Sequence, residues 1–152
     1  MLDKAVPDFD LPATDGSKFQ LSKNQGKTVV LYFYPRDNTP GCTIEAGDFR
    51  GLHNDFKKHN CVVYGISRDS LKAHEGFKCK LDLPFDLLSD ADEKACKLFK
   101  VIKMKKMYGK EVRGIERSSF LIDSNGILRK EWRGVKVTGH AQEVLDFVKT
   151  LK

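Results

Sequence analysis

Seven consecutive residues at positions 28–34, Thr-Val-Val-Leu-Tyr-Phe-Tyr, are nearly all β-branched or aromatic. A strand with one wet face alternates apolar and polar residues. An unbroken run of this kind reads as a strand covered on both faces. Such a strand needs a layer on each side, so the chain is expected to be an α/β sandwich around a central sheet. Directly after it comes Pro35-Arg36-Asp37-Asn38-Thr39-Pro40-Gly41-Cys42. Thr39 is a good helix N-cap, Pro40 suits the first helical position, and Gly41 lets backbone approach a ligand closely. Cys42 then falls in the first turn of the helix, among free N–H groups and at the positive end of the dipole. That setting favours thiolate over thiol, and it favours a small anionic or oxygen-rich reactant at the same place.

The remaining elements follow from spacing. Residues 9–11 and 18–21 read as two short strands around the Thr14-Asp15-Gly16 turn. A helix is expected from 40 to about 59, with Ile44, Phe49, Leu52 and Phe56 at helical intervals and Asn60 as a left-handed exit. Residues 61–66 form a second buried strand. Ser67-Arg68-Asp69-Ser70 leads into a helix reaching about 80, and residues 81–88 return to an extended path. Residues 90–99 read as helix, 118–123 and 127–132 as a hairpin around Ser124-Asn125-Gly126, and 140–151 as an amphipathic helix. That order describes the thioredoxin topology with a mixed central sheet and an N-terminal β-hairpin extension. At 152 residues, 1–152 is expected to be a single domain.

Composition narrows the function. With 40% hydrophobic and 32% charged residues, the chain reads as a soluble globular protein. No stretch of about 18 apolar residues points to a membrane span. The first eight residues lack the apolar segment of a signal peptide, so the cytoplasm is the expected compartment. The charge of +6 comes largely from residues 94–113, where Lys103, Lys105, Lys106 and Lys110 cluster. Only Tyr108 accompanies them and no reader motif is present, so this reads as a solvated face with no nucleic-acid partner. The four cysteines, Cys42, Cys61, Cys79 and Cys96, contain no Cys-x-x-Cys pair, and His53, His59 and Cys61 match no metal spacing. No metal and no cofactor are expected.

The pattern Pro35…Thr39-x-x-Cys42, with Arg117 ahead of Ser118-Ser119-Phe120-Leu121-Ile122-Asp123, resembles the peroxiredoxins. The strings Leu31-Tyr32-Phe33-Tyr34-Pro35, Gly65-Ile66-Ser67, Asp69-Ser70 and Leu87-Leu88-Ser89-Asp90 resemble its bacterioferritin comigratory protein subgroup, also called PrxQ. The resemblance runs over nearly the whole chain. It implies a thiol peroxidase acting on hydrogen peroxide and organic hydroperoxides without metal, flavin or haem. By motif, Cys42 is then the peroxidatic cysteine and Thr39 offers its hydroxyl to the peroxide. Gly41 lies against the substrate, Arg117 supports the thiolate and the transition state, and Pro35 shields the pocket. Glu45, one helical step beyond Cys42, either hydrogen-bonds near the site or stands as an exposed first-turn carboxylate.

The resemblance also raises the resolving cysteine. Many members of the subgroup carry it five residues after the first, where this chain has Gly47. Others carry it directly after the phenylalanine equivalent to Phe77, where this chain has Lys78, with Cys79 one residue later. Cys79 is therefore the implied resolver, and a one-cysteine enzyme reduced by an external thiol is the alternative. Cys61 and Cys96 read as packing residues. Either cycle implies a thioredoxin-like or glutathione/glutaredoxin-type reductant, and the subgroup implies a monomer or weak dimer.

Rival chemistries fit less well. A dithiol oxidoreductase wants a second cysteine within one turn of Cys42, and a cysteine phosphatase wants an arginine where Asp48 stands. A redox-regulated binding or holdase protein working through the basic face is the reading from another class.

Overall fold

In the computed structural model, residues 2–151 are described, with the side chains of Lys105 and Met107 left aside. The run at 28–34 supplies β3 (Thr28–Phe33), the middle strand of a five-stranded sheet. The order is β5 (Leu87–Ser89), β4 (Cys61–Ser67), β3, β8 (Ser118–Ile122) and β9 (Leu128–Arg133). β3, β4 and β5 run parallel, whereas β8 and β9 are antiparallel to their neighbours. β1 (Asp10–Pro12) and β2 (Lys18–Gln20) make the small N-terminal hairpin, joined to the sheet where Ala13 bridges Leu88.

Both faces of β3 are covered, as its composition demands. Val29, Leu31 and Phe33 enter one core with Phe9, Phe99 and Phe120. Val30, Tyr32 and Tyr34 enter the other with Phe49, Phe77 and Leu145. The second core lies under α1 (Pro40–Gly51), α2 (His53–Lys58), α3 (Leu71–Leu81) and α5 (His140–Val148). No helix among the described residues is long and apolar enough to cross a membrane.

Close approach explains one strand glycine. A Cβ on Gly65 of β4 would stand 2.7 Å from the Tyr32 hydroxyl and ring and 2.9 Å from Leu87. Tyr32 in turn stacks on Phe49 at 4.6 Å between centroids. Gly65→Ala is therefore expected to destabilise the fold by about 1–3 kcal/mol through overpacking. A lowered urea midpoint would register this.

Some expectations need correction. The helix expected from 40 to 59 is broken: Leu52 leaves helical geometry between α1 and α2, with its N–H shared between the Asp48 and Phe49 carbonyls. Asn60 does exit left-handed, at φ 53°. The helix expected over 90–99 contracts to α4 (Lys94–Leu98), because Glu93 sits at φ 61° and stops it N-terminally. Residues 102–115 form a separate hairpin, β6 (Ile102–Met107) with β7 (Lys110–Ile115), which the spacing reading left without structure. Tyr108 and Gly109, both at positive φ, make its turn. Lys103, Lys106 and Lys110 are exposed there as expected, but Arg113 is not free. It pairs with Glu93, which also holds Arg68 at 3.0 Å. Those two arginines, Arg113 foremost, hold the Glu93 carboxyl down at about 2.

Candidate active site

Parallel β3 runs straight into the turn that begins α1, and the antiparallel pairing with β8 sets Phe33 opposite Ser118. The residue before Ser118 is Arg117, so strand register alone brings Arg117 to the loop that follows β3. Arg117 is fixed there by its own carbonyl, which accepts from the Val135 N–H at 2.9 Å.

Thr39 takes the N-cap backbone geometry, at φ −86° and ψ 153°, with Pro40 next. Its hydroxyl does not cap. It donates back to the Arg36 carbonyl at 3.1 Å, which corrects the expected side-chain cap. The first helical bond runs from the Thr43 N–H to the Thr39 carbonyl, at 2.9 Å. The N–H groups of Gly41 and Cys42 stand ahead of that ladder, at the positive end of the helix.

Cys42 is 1% exposed, packed in the same core as Phe49 and Phe77. Arg117 Nη2 donates to its sulfur at 3.3 Å, and Arg117 Nη1 donates to Glu45 Oε1 at 2.6 Å. One guanidinium thus spans thiol and carboxylate. Gly41 leaves room for it, since a Cβ there would stand 3.1 Å from Nη2.

Glu45 is not the exposed first-turn carboxylate but is 1% exposed, and its Oε2 is buried without a hydrogen-bond partner among the described residues. Burial pushes its carboxyl up to about 7, against the pull of Arg117. Burial works against the Arg117 charge too, yet Glu45 and Cys42 hold the guanidinium above its usual range. A thiol with a fixed cation on its sulfur, helix N–H groups beside it and little water is equipped for nucleophilic attack on a small reactant. A cleft of about 380 Å³ lined by Trp132, Lys136, His140 and their neighbours includes neither Cys42 nor Arg117.

The other expected residues spread around this centre. Pro35 is half-buried at the end of β3. Cys79 lies exposed on α3, two residues beyond buried Phe77, and Lys78 between them pairs with Asp86 at 2.6 Å. Cys61 and Cys96 are buried, and burial pushes the Cys61 thiol up to about 12 and the Cys96 thiol higher still. Spacing gave no sign of Asp37, Asp69 and His74, which the fold gathers within 4.8 Å of one another from the loop before Cys42, the turn between β4 and α3, and α3 itself. The available signal was a lone histidine three residues before Phe77, on the face of α3 that turns inward.

Comparison with known proteins bears on the whole chain. Residues 2–131 match the AhpC/TSA family. The peroxiredoxin Bcp of Bacillus subtilis is 50% identical over 146 residues, covering 96% of this chain and 93% of that protein. The peroxiredoxin Bcp of Xanthomonas campestris is 46% identical over 151 residues, 98% of this chain and 94% of its own. Among solved structures, a cysteine mutant of Xylella fastidiosa PrxQ superposes with a TM-score of 0.94 at 42% identity, covering 99% of this chain and 96% of that one. The X. campestris bacterioferritin comigratory protein, solved in connection with its alkyl peroxide reduction activity, superposes at 0.89 with 46% identity, covering 93% and 90%.

Proposed function

The chain belongs to the AhpC/TSA family, as a peroxiredoxin of the Bcp/PrxQ kind and hence a thiol peroxidase, and on that premise we propose how its residues divide the work. Cys42 is the peroxidatic cysteine, acting on hydrogen peroxide and organic hydroperoxides. Its thiolate takes the terminal OH of ROOH, forming S–O while O–O breaks. The departing RO⁻ gains a proton to become ROH and leaves a sulfenic acid on Cys42. Arg117 favours the thiolate and meets the charge growing on the leaving oxygen. Thr39 offers its hydroxyl to the peroxide, Gly41 keeps the backbone side open, and Pro35 shields the pocket. The observation that carries this reading is the single guanidinium bonded to both Cys42 and Glu45.

For recycling, the thiol of Cys79 condenses with the sulfenic acid, releasing water, and a thioredoxin-like or glutathione/glutaredoxin-type dithiol reduces the disulfide. Exposure of Cys79 suits access by such a donor. The same exposure favours a second reading. Two residues turn a helix by about 200°, so Cys79 points away from the core that Phe77 shares with Cys42. Cys42 would then be reduced directly by an external thiol. We further read residues 1–152 as one domain, working in the cytoplasm as a monomer or weak dimer without cofactor or metal.

Intact mass after one equivalent of hydrogen peroxide tests both cycles. Loss of two hydrogens, absent in Cys42→Ser and in Cys79→Ser, is the expected result. Gain of one oxygen that vanishes only in Cys42→Ser makes this a one-cysteine enzyme. A mass change that survives Cys42→Ser overturns the assignment of the nucleophile.

A further inference from the structure

Residues 34–39 carry Pro35 and Thr39 to the start of α1, yet what holds this loop comes from elsewhere. Asp37 is buried, and its Oδ1 accepts from the Tyr34 hydroxyl at 2.6 Å. Burial foremost keeps that phenol well above its ordinary value, so it remains a donor. Asp37 Oδ2 lies 2.7 Å from Nδ1 of His74, on α3. His74 is 0% exposed, and its Nε2 lies 3.0 Å from the Leu88 carbonyl at the sheet edge. A carbonyl only accepts, so Nε2 carries the hydrogen of that bond and Nδ1 is left facing Asp37. The Asp37 N–H donates to Asp69 Oδ2 at 2.8 Å, and the Ser67 hydroxyl donates to the same oxygen at 2.6 Å.

Every polar group of Asp37 named here is thus spoken for, by Tyr34 just after β3, by Asp69 just after β4 and by His74 on α3. A buried loop carboxylate with this many fixed partners cannot drift, and the next residue, Asn38, turns at φ 63° directly into Thr39. We propose that His74, through Asp37, is a positioning residue for the peroxidase reaction: it fixes the loop at 34–39 so that Thr39 and Pro35 face a peroxide at Cys42. The proposal rests on the reading of Cys42 as the peroxidatic cysteine. His74 touches neither sulfur nor peroxide in this scheme and acts through the loop. The effect is on the fit of the reactant, with the thiol itself left in place by Arg117 and the packing of α1.

That division gives the test. Two reactions of Cys42 are timed in the reduced, full-length protein: sulfenic acid formation with hydrogen peroxide, and alkylation by chloroacetamide, which needs no peroxide pocket. His74→Leu and Asp37→Ala are expected to slow the peroxide reaction about 100-fold, with alkylation held within about threefold, the scale for a small misplacement of reacting groups. Asp37→Asn, whose amide can donate to Nδ1 while its oxygen accepts from Tyr34, is expected to keep most of the rate. A wild-type peroxide rate in Asp37→Ala, or equal shifts in both reactions, overturns the proposal. If His74→Leu fails to fold, the contrast between Asp37→Ala and Asp37→Asn decides alone. Peroxide turnover persisting in Cys42→Ser would instead overturn the underlying assignment, a distinct failure.

Discussion

Arg117→Ala is expected to slow peroxide reduction by about 10²–10³-fold, the usual cost of losing one preorganised donor at a developing oxyanion. Among the described residues, Arg117 is the one side chain hydrogen-bonded to the Cys42 sulfur, and no other cation replaces it there. The change also strips Glu45 of its ion-pair partner, leaving a carboxylate buried at 1% exposure with no counter-charge. Arg117→Lys should recover only part of the loss. An ammonium is a point charge and cannot bridge sulfur and carboxylate as the two guanidinium nitrogens do. Single-turnover oxidation of Cys42 by hydrogen peroxide would check both variants. A loss under tenfold in Arg117→Ala would remove Arg117 from the transition state.

Glu45 should leave a mark on stability against pH. Its folded carboxyl is raised to about 7 from an ordinary 4.5, with burial as the main cause. Between those values the native chain keeps a proton that the unfolded chain has released. This group's contribution is therefore most favourable below about 4.5 and is lost as pH climbs to about 7. The shift amounts to about 3 kcal/mol. Glu45→Gln removes the titration, so its stability relative to wild type should rise by that amount between pH 4 and pH 8. Urea denaturation at several pH values measures the difference, and groups common to both chains cancel. A flat difference would mean that Arg117 holds the carboxylate ionised throughout.

What the chain disclosed by itself was whatever a short window can hold. The run at 28–34 announced the central strand, and Thr39-Pro40-Gly41 announced the helix start that carries Cys42. The β6–β7 hairpin escaped because its turn is Tyr108-Gly109, and tyrosine is a poor advertisement for a left-handed turn position. The break of α1 from α2 at Leu52 comes directly after Gly51, a weak breaker signal that the helical spacing of Ile44, Phe49, Leu52 and Phe56 outweighed. In the site, Cys42, Thr39 and Arg117 were named from the motif, whereas burial of Glu45 depends on packing against other elements. The Asp37–His74 contact joins positions 37 apart, and a hydrogen bond of that span leaves no periodic trace.

The register that sets Phe33 against Ser118 has a consequence in time. Cys42 and Arg117 are 75 residues apart, so a ribosome adding about 5–20 residues per second delivers the thiol well before its cation. Until β8 docks on β3, Cys42 lacks the guanidinium that meets its sulfur. The contribution of Arg117 to the reactivity proposed for Cys42 therefore arrives only when the second half of the sheet is in place.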